Sequence, residues 1–183
     1  YRRPDDAPQT RGAWLAAARP DVVYKPGQLP AYSNYGTALA GQIAADASGQ
    51  TWQSMIESWF LSPLGMSASS AAQPLPDALA ADFAPGHGAP PAFRPRSFGL
   101  IKDAPAGAIS ASATDMARWL EVHLRSGKLG NAQALSNELV AAMAEPLRAF
   151  LPEQRPFLHG FYRMDRAGEV IYGHHGDLDD THS

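Results

Sequence analysis

Apolar side chains recur at helical spacing along most of this chain and give way to strand-like runs near its end. The spacing predicts a short helix in "GAWLAAA" and a longer one from Tyr35 to about Ala47, which Gly49 ends. Leu39, Ile43 and the alanines between them are expected to form one apolar face of the longer helix.

Three more helices are predicted further along. Thr51 is the expected N-cap of the first. Its buried face should carry Trp52, Met55, Ile56, Trp59 and Phe60. The second, in "ATDMARWLEVHL", should begin at Ser112 or Thr114, with Asp115 in its first turn. It is expected to direct inward Met116, Trp119, Leu120 and Leu124. The third lies in "LSNELVAAMA". His123 is expected at the surface or half-buried, and His87 and His159 receive no role.

The end of the chain predicts a β-hairpin. "FLHGFYRM" and "EVIYGHHG" are rich in aromatic and β-branched residues, and "DRAG" between them suits a tight turn. Helices followed by antiparallel strands indicate an α+β fold with an incomplete sheet. We expect residues 1–183 to form a single partial domain, with a helical region at about 11–145 and the hairpin at about 157–176. Residues 67–105, rich in Pro, Gly and Ala, form a long connection.

Composition excludes several classes of function. A formal net charge of −3 over 183 residues, without a run of Lys or Arg, argues against a nucleic-acid partner. The absence of cysteine excludes disulfides, thiolate metal sites and a cysteine nucleophile. Apolar runs are too short to span a membrane, and no signal-peptide core is visible. Because the chain lacks an initiator Met and stops just after a strand-like run, we expect it to be a piece of a longer protein.

The terminal "GHHGDLDDTHS" raises the question of a metal site, because imidazole and carboxylate are common metal ligands. On a strand, alternation should send His174 and Gly176 to one face and His175 and Asp177 to the other. Adjacent histidines on a strand do not easily share one ion, so the strand interpretation is favoured and no cofactor is expected. A turn after the strand is expected to hold Asp179, Asp180 and His182.

Several motifs occur in an order that resembles the serine beta-lactamase-related family. "YSN" precedes the helix "YGTALAGQIAADASGQ", and "FLSPLGM", "AGAISASATDMARWL" and "YGHHGD" follow. The family contains class C beta-lactamases, D-Ala-D-Ala carboxypeptidases and related esterases. Its three motifs are Ser-x-x-Lys on a helix, Tyr-x-Asn on a loop and Lys/His-x-Gly on a strand. The resemblance runs from about Tyr24 to Asp177 and implies part of a beta-lactamase/transpeptidase-like fold.

One motif of the family is missing. Ser-x-x-Lys occurs nowhere in the 183 residues, whose only lysines are Lys25, Lys102 and Lys128. In the family this motif precedes Tyr-x-Asn, so it would lie before Tyr1. The strands that follow "GHHGD" in the family are also missing. The resemblance therefore implies an internal segment without the nucleophile helix and the closing strands.

The resemblance implies a role in acyl transfer for five residues. Tyr32 would be the general base and Asn34 would hold the motif lysine and the substrate amide. His174 would stand beside the substrate's carboxylate or leaving group. Gly176 would let the backbone approach the substrate, and the N–H of Asp177 would form half of the oxyanion hole. Without these roles, Tyr32 could be a buried aromatic at a loop-to-helix junction and Asn34 an N-cap.

The function implied is that of a serine hydrolase that forms an acyl-serine intermediate on an ester, amide or lactam, inactive as this segment alone. His174 favours an esterase or peptidase-like member, because lactam-hydrolysing relatives more often carry lysine there. The substrate would be a small molecule or a peptidoglycan peptide, in a periplasmic or secreted parent protein. Any membrane contact would come through parts outside this chain. The alternatives are a non-catalytic relative that binds cell-wall peptide or a partner, and a metal-dependent hydrolase using the terminal His and Asp residues.

Overall fold

A computed structural model describes residues 10–88, 90–91, 93–146 and 157–178. The helices are α1 (Arg11–Ala17), α2 (Asn34–Ser48), α3 (Trp52–Ile56), α4 (Asp77–Ala80), α5 (Ala113–Leu124) and α6 (Asn137–Ala144). A π-helical turn, Glu57–Leu61, continues α3, and Ala104–Ala106 forms a 3₁₀ turn. The strands are β1 (Lys128–Leu129), β2 (Ala132–Gln133), β3 (Tyr162–Arg166) and β4 (Glu169–Gly173). β1 pairs with β2 and β3 with β4, both antiparallel. The predicted α+β class with an incomplete sheet is confirmed.

The chain forms two compact units. The first takes the described residues of Tyr1–Pro20, Ser33–Ala117 and Gly176–Ser183. The second takes Asp21–Tyr32 and the described residues of Arg118–His175. The expectation of a single partial domain stays a prediction.

Hydroxyl side chains determine where the helices begin. Four N-cap residues each accept a hydrogen bond from the backbone N–H three residues later: Thr10, Ser33, Thr51 and Ser136. For α5, Ser112 does the same for the N–H of Asp115 at 3.2 Å, so Ser112 and not Thr114 is the cap. Gly49, with φ of 68°, ends α2 in the left-handed conformation that glycine adopts without strain.

Helix α2 packs through its small residues, not through Leu39 and Ile43 as predicted. Both of these side chains are exposed, whereas Ala38 and Ala45 are buried. The reason lies at Gly41, where an added Cβ would come within 2.6 Å of the Pro105 side chain. Only a face without large side chains allows this close approach to the 3₁₀ turn.

The helix at Thr51 buries Trp52 and Met55 as predicted, but Trp59 is 44% exposed. The change from α-helix to π-helix at Glu57 explains the error, because the wider turn shifts the following side chains around the axis. The carboxylate of Glu57 accepts hydrogen bonds from the Ser70 hydroxyl and the Ala71 N–H, both at 2.8 Å. These bonds fix the π-helical turn against the segment that follows it.

Helix α5 is rotated relative to the prediction. Three side chains expected inside are exposed: Met116, Leu120 and Leu124. The buried positions are Asp115, Val122 and His123, which recur at i, i+7 and i+8. Asp115, in the first unit, accepts hydrogen bonds from the Ala68 N–H and the Ser69 hydroxyl, both at 2.8 Å. A buried carboxylate that satisfies two donors outweighs the apolar pattern in setting the orientation of this turn.

In the second unit, His123 lies in an aromatic cluster. Its ring packs edge-to-face against Trp119 at 4.5 Å, Phe161 at 5.3 Å and Tyr172 at 6.0 Å between centroids. The side chain is 8% exposed, so the expectation of a surface or half-buried histidine is wrong. Neither ring nitrogen has a hydrogen-bond partner among the described residues. Burial without a partner lowers the pKa of His123 below its ordinary value of 6.5.

The β3–β4 hairpin closes through a two-residue turn. Ala167 and Gly168 both have positive φ, 53° and 85°, as the tight turns that match the right-handed twist of paired strands require. The turn sets the register, in which Tyr162 lies opposite Gly173 and Arg163 opposite Tyr172. Neighbouring residues of β3 therefore face opposite sides of the hairpin.

None of the helices in the described ranges is both long and apolar enough to cross a lipid bilayer.

Replacing Asp115 by Ala should lower the free energy of unfolding by about 2–4 kcal/mol, because the Ala68 N–H and the Ser69 hydroxyl lose their acceptor. Urea titration followed by circular dichroism measures the change. Asp46→Ala is the control, since Asp46 is an exposed carboxylate bonded only to Gln42 on the same helix in the described structure. Equal effects of the two variants would contradict a special role for Asp115.

The lowered pKa of His123 predicts a loss of stability in acid. Above about pH 6.5 the ring is neutral in both the folded and the unfolded chain. As the pH falls below that value, the unfolded chain binds a proton that the buried ring resists, so the free energy of unfolding should fall. His123→Phe should flatten this dependence between pH 7.5 and 5, as measured by urea titration at each pH. Parallel curves for the wild type and His123→Phe would contradict the prediction.

Candidate active site

Two of the predicted site residues come together in the second unit. The ring centroids of Tyr32 and His174 lie 5.5 Å apart, although 142 positions separate them in the sequence. Tyr32 is 52% exposed, so the alternative of a buried aromatic residue at this junction is wrong. An accessible phenol beside an imidazole can exchange protons with a bound molecule.

A third ring completes this cluster. Tyr162, the first residue of β3, stacks on His174 with centroids 4.9 Å apart and planes at 28°. It also lies 6.4 Å from Tyr32. Phe157 packs against Tyr162 at 5.1 Å and forms a backbone bridge with it. We call Tyr32, Tyr162 and His174 the ring triad.

The two terminal histidines do not alternate as predicted. β4 ends at Gly173, so His174 and His175 lie beyond the strand and are not held to its alternation. Both rings pack on Tyr162, that of His175 at 5.5 Å. The His174 Nδ1 lies 2.6 Å from the carbonyl oxygen of His175. Since a carbonyl only accepts, Nδ1–H is the donor, which leaves Nε2 as the ring nitrogen available to a bound molecule.

The remaining three predicted site residues belong to the first unit. Asn34 is the first residue of α2 and is exposed. Ser33 is the N-cap, and its hydroxyl accepts from the Gly36 N–H at 3.0 Å, so the alternative of Asn34 as the cap is wrong. Gly176 and Asp177 are exposed and lie after the end of β4. Their roles at a substrate stay predictions.

The metal alternative has limited geometric support. Among the described residues, no three His, Asp, Glu or Cys side chains are close enough to hold an ion. The three other candidate ligands from the terminal segment lie outside the described residues: Asp179, Asp180 and His182.

The chemistry of the ring triad is incomplete by itself. A free tyrosine has a pKa near 10, and its use as a base near neutral pH needs a positive charge beside the phenol. The chain also lacks Ser-x-x-Lys, so the described rings can move and position protons but supply no activated serine.

Sequence reasoning missed Tyr162 as a member of the ring triad, and it misjudged the burial of His123. The position of Tyr162 could have been found from the tight turn at 167–168. Counting residues outward from that turn pairs Tyr162 with Gly173, and Gly173 directly precedes His174. His123 carries no such signal, since a single histidine on a helix is ordinarily solvated.

Solved structures with the same fold support the architecture. An octameric penicillin-binding protein homologue from Pyrococcus abyssi matches with a TM-score of 0.73 and 24% identity, over 92% of this chain and 38% of its own. A D-amino acid amidase from Ochrobactrum anthropi SV3 matches at 0.70 and 22%, over 94% and 51%. A class C beta-lactamase matches at 0.77 and 19%, over 98% and 55%. The chain thus spans 38–55% of the length of these three structures.

No curated protein matches the sequence significantly. The family model described as Beta-lactamase, however, matches residues 1–183, and three solved structures share the α+β architecture that the motifs predicted. The chain therefore belongs to the Beta-lactamase family.

Proposed function

We propose that this chain is part of a serine hydrolase that cleaves an ester, amide or lactam through an acyl-serine intermediate. The observation that carries the proposal is the contact between Tyr32 and His174, 5.5 Å between centroids, in a chain of this family. Two structurally similar proteins, a D-amino acid amidase and a class C beta-lactamase, support a small substrate that carries a cleavable carbonyl group.

In the proposed first step, a serine hydroxyl outside this chain attacks the substrate carbonyl carbon. Tyr32, as phenolate, takes the serine proton, and the carbonyl oxygen becomes an oxyanion. The Asp177 N–H and the serine's own N–H stabilise that oxyanion. The intermediate then collapses, the carbon–heteroatom bond breaks, and the proton on Tyr32 passes to the leaving group.

In the second step, water replaces the leaving group. The water oxygen attacks the acyl carbon while Tyr32 accepts a proton from that water. The proton then passes from Tyr32 to the serine oxygen as the acid is released. Asn34 orients the lysine of the family's Ser-x-x-Lys motif, and the positive charge of that lysine lowers the pKa of the Tyr32 phenol. His174, with Nδ1–H bonded to the His175 carbonyl, offers Nε2 to the leaving group or carboxylate of the substrate. We place this reaction in the periplasm or outside the cell.

Expression of the entire open reading frame tests the role of Tyr32. Tyr32→Phe keeps the ring and removes the ionisable oxygen, so kcat for a p-nitrophenyl ester or for nitrocefin should fall about 10²- to 10⁴-fold. Tyr24→Phe is the matched control, because Tyr24 is similarly exposed in the same unit and should leave kcat unchanged.

Turnover that persists in Tyr32→Phe would contradict the assignment of the base. A wild type that binds peptidoglycan peptide without turnover would favour the non-catalytic alternative. Stoichiometric zinc, lost on His175→Ala, would favour the metal-dependent one.

The 183-residue polypeptide alone should hydrolyse both substrates only at the background rate, because Ser-x-x-Lys is not in its sequence. Spectrophotometric assay of the purified polypeptide measures this. A rate above background that Tyr32→Phe abolishes would show that another residue of this chain acts as the nucleophile.

A further inference from the structure

We infer that Tyr162 is a positioning residue that holds the rings of Tyr32 and His174 in a reactive arrangement. The inference rests on the proposed function, in which Tyr32 and His174 face the substrate. It adds a residue that belongs to none of the sequence motifs. The first observation is the ring triad itself, in which each of the three centroids lies within 6.4 Å of the other two.

Tyr162 is the member of the triad that lies in a paired strand. It begins β3 and pairs with Gly173 in a five-pair antiparallel register. Phe157 supports its ring from another side at 5.1 Å, and a backbone bridge joins the two residues. The other two members lie outside regular strands, Tyr32 in an irregular segment and His174 after the end of β4. Tyr162 thus offers both rings a surface that strand pairing holds in place.

The positioning role of Tyr162 can be distinguished from a role in the stability of the β3–β4 hairpin, because the two faces of the hairpin make different aromatic contacts. Phe161 and Tyr172 pack with His123, at 5.3 and 6.0 Å from its ring. Tyr162, the residue that follows Phe161, contacts the rings of Tyr32 and His174 instead. Anchoring of the hairpin therefore depends on one set of aromatic side chains, and positioning of Tyr32 and His174 depends on another.

The ring of Tyr162, and not its hydroxyl, carries the effect. Within the described part of the chain, its side chain makes ring contacts with those of Tyr32, Phe157, His174 and His175. The ring of Tyr162 lies 6.4 Å from that of Tyr32 and 4.9 Å from that of His174, distances at which aromatic pairs attract each other. Because a displacement of about 1 Å at a reacting group can cost about 10²-fold in rate, loss of this surface should be visible in kcat.

The test uses the protein expressed from the entire open reading frame with carbon-13 in its histidine rings. The His174 signal, identified by its loss in His174→Asn, should carry an upfield ring-current shift from Tyr162. Tyr162→Leu should remove that shift and lower kcat about 10- to 100-fold, with a smaller change in KM. Tyr162→Phe should retain both the shift and kcat. Tyr172→Leu is the matched control, since it removes a tyrosine ring from the opposite face of the same hairpin.

Three other results for the His174 signal or for kcat would contradict the inference, each for a different reason. An unshifted His174 signal in the wild type, or one unchanged in Tyr162→Leu, would refute the contact whether or not the protein is an enzyme. Equal losses of kcat in Tyr162→Leu and Tyr172→Leu would mean that the ring only stabilises the hairpin. A wild type without turnover would refute the proposed function and the catalytic part of this inference, and the His174 signal would still decide the contact.

Discussion

The two-residue turn at Ala167–Gly168 is the constraint on which both aromatic clusters of the second unit depend. Its positive φ angles fix the register of β3 against β4, and that register places Tyr162 beside the residue that precedes His174. A slip of one residue would exchange the faces of the hairpin. The aromatic cluster around His123 and the ring triad would then be lost together.

Where the sequence predicted correctly, a local signal with a single physical meaning was present. Hydroxyl caps such as Thr51, the glycine that ends α2 at Gly49, and the mixed helix-then-strand order all rest on backbone hydrogen bonding or on allowed backbone angles. The order of the motifs was enough to identify the family. Tyr32 and His174, whose ring contact spans most of the chain, could be paired only through the resemblance, because no local pattern links them.

The errors occurred where tertiary contacts oppose periodicity. On α5 the carboxylate of Asp115 and the imidazole of His123 are buried, whereas several apolar side chains are exposed. The spacing of apolar residues therefore predicts the wrong buried face for this helix. On α3 the π-helical turn breaks the repeat, which leaves Trp59 exposed. Beyond Gly173 the strand has ended, and alternation no longer applies to His174.

The contact between α2 and Pro105 has a consequence for the evolution of this chain. Because even a methyl group at position 41 would overlap the proline ring, almost every non-synonymous change of that codon should be removed by selection. Ile43, one half-turn away and exposed, is free to drift. Among diverged copies of this gene, the small residue should persist while the large apolar one is exchanged, the reverse of what a hydrophobicity profile would lead a reader to expect.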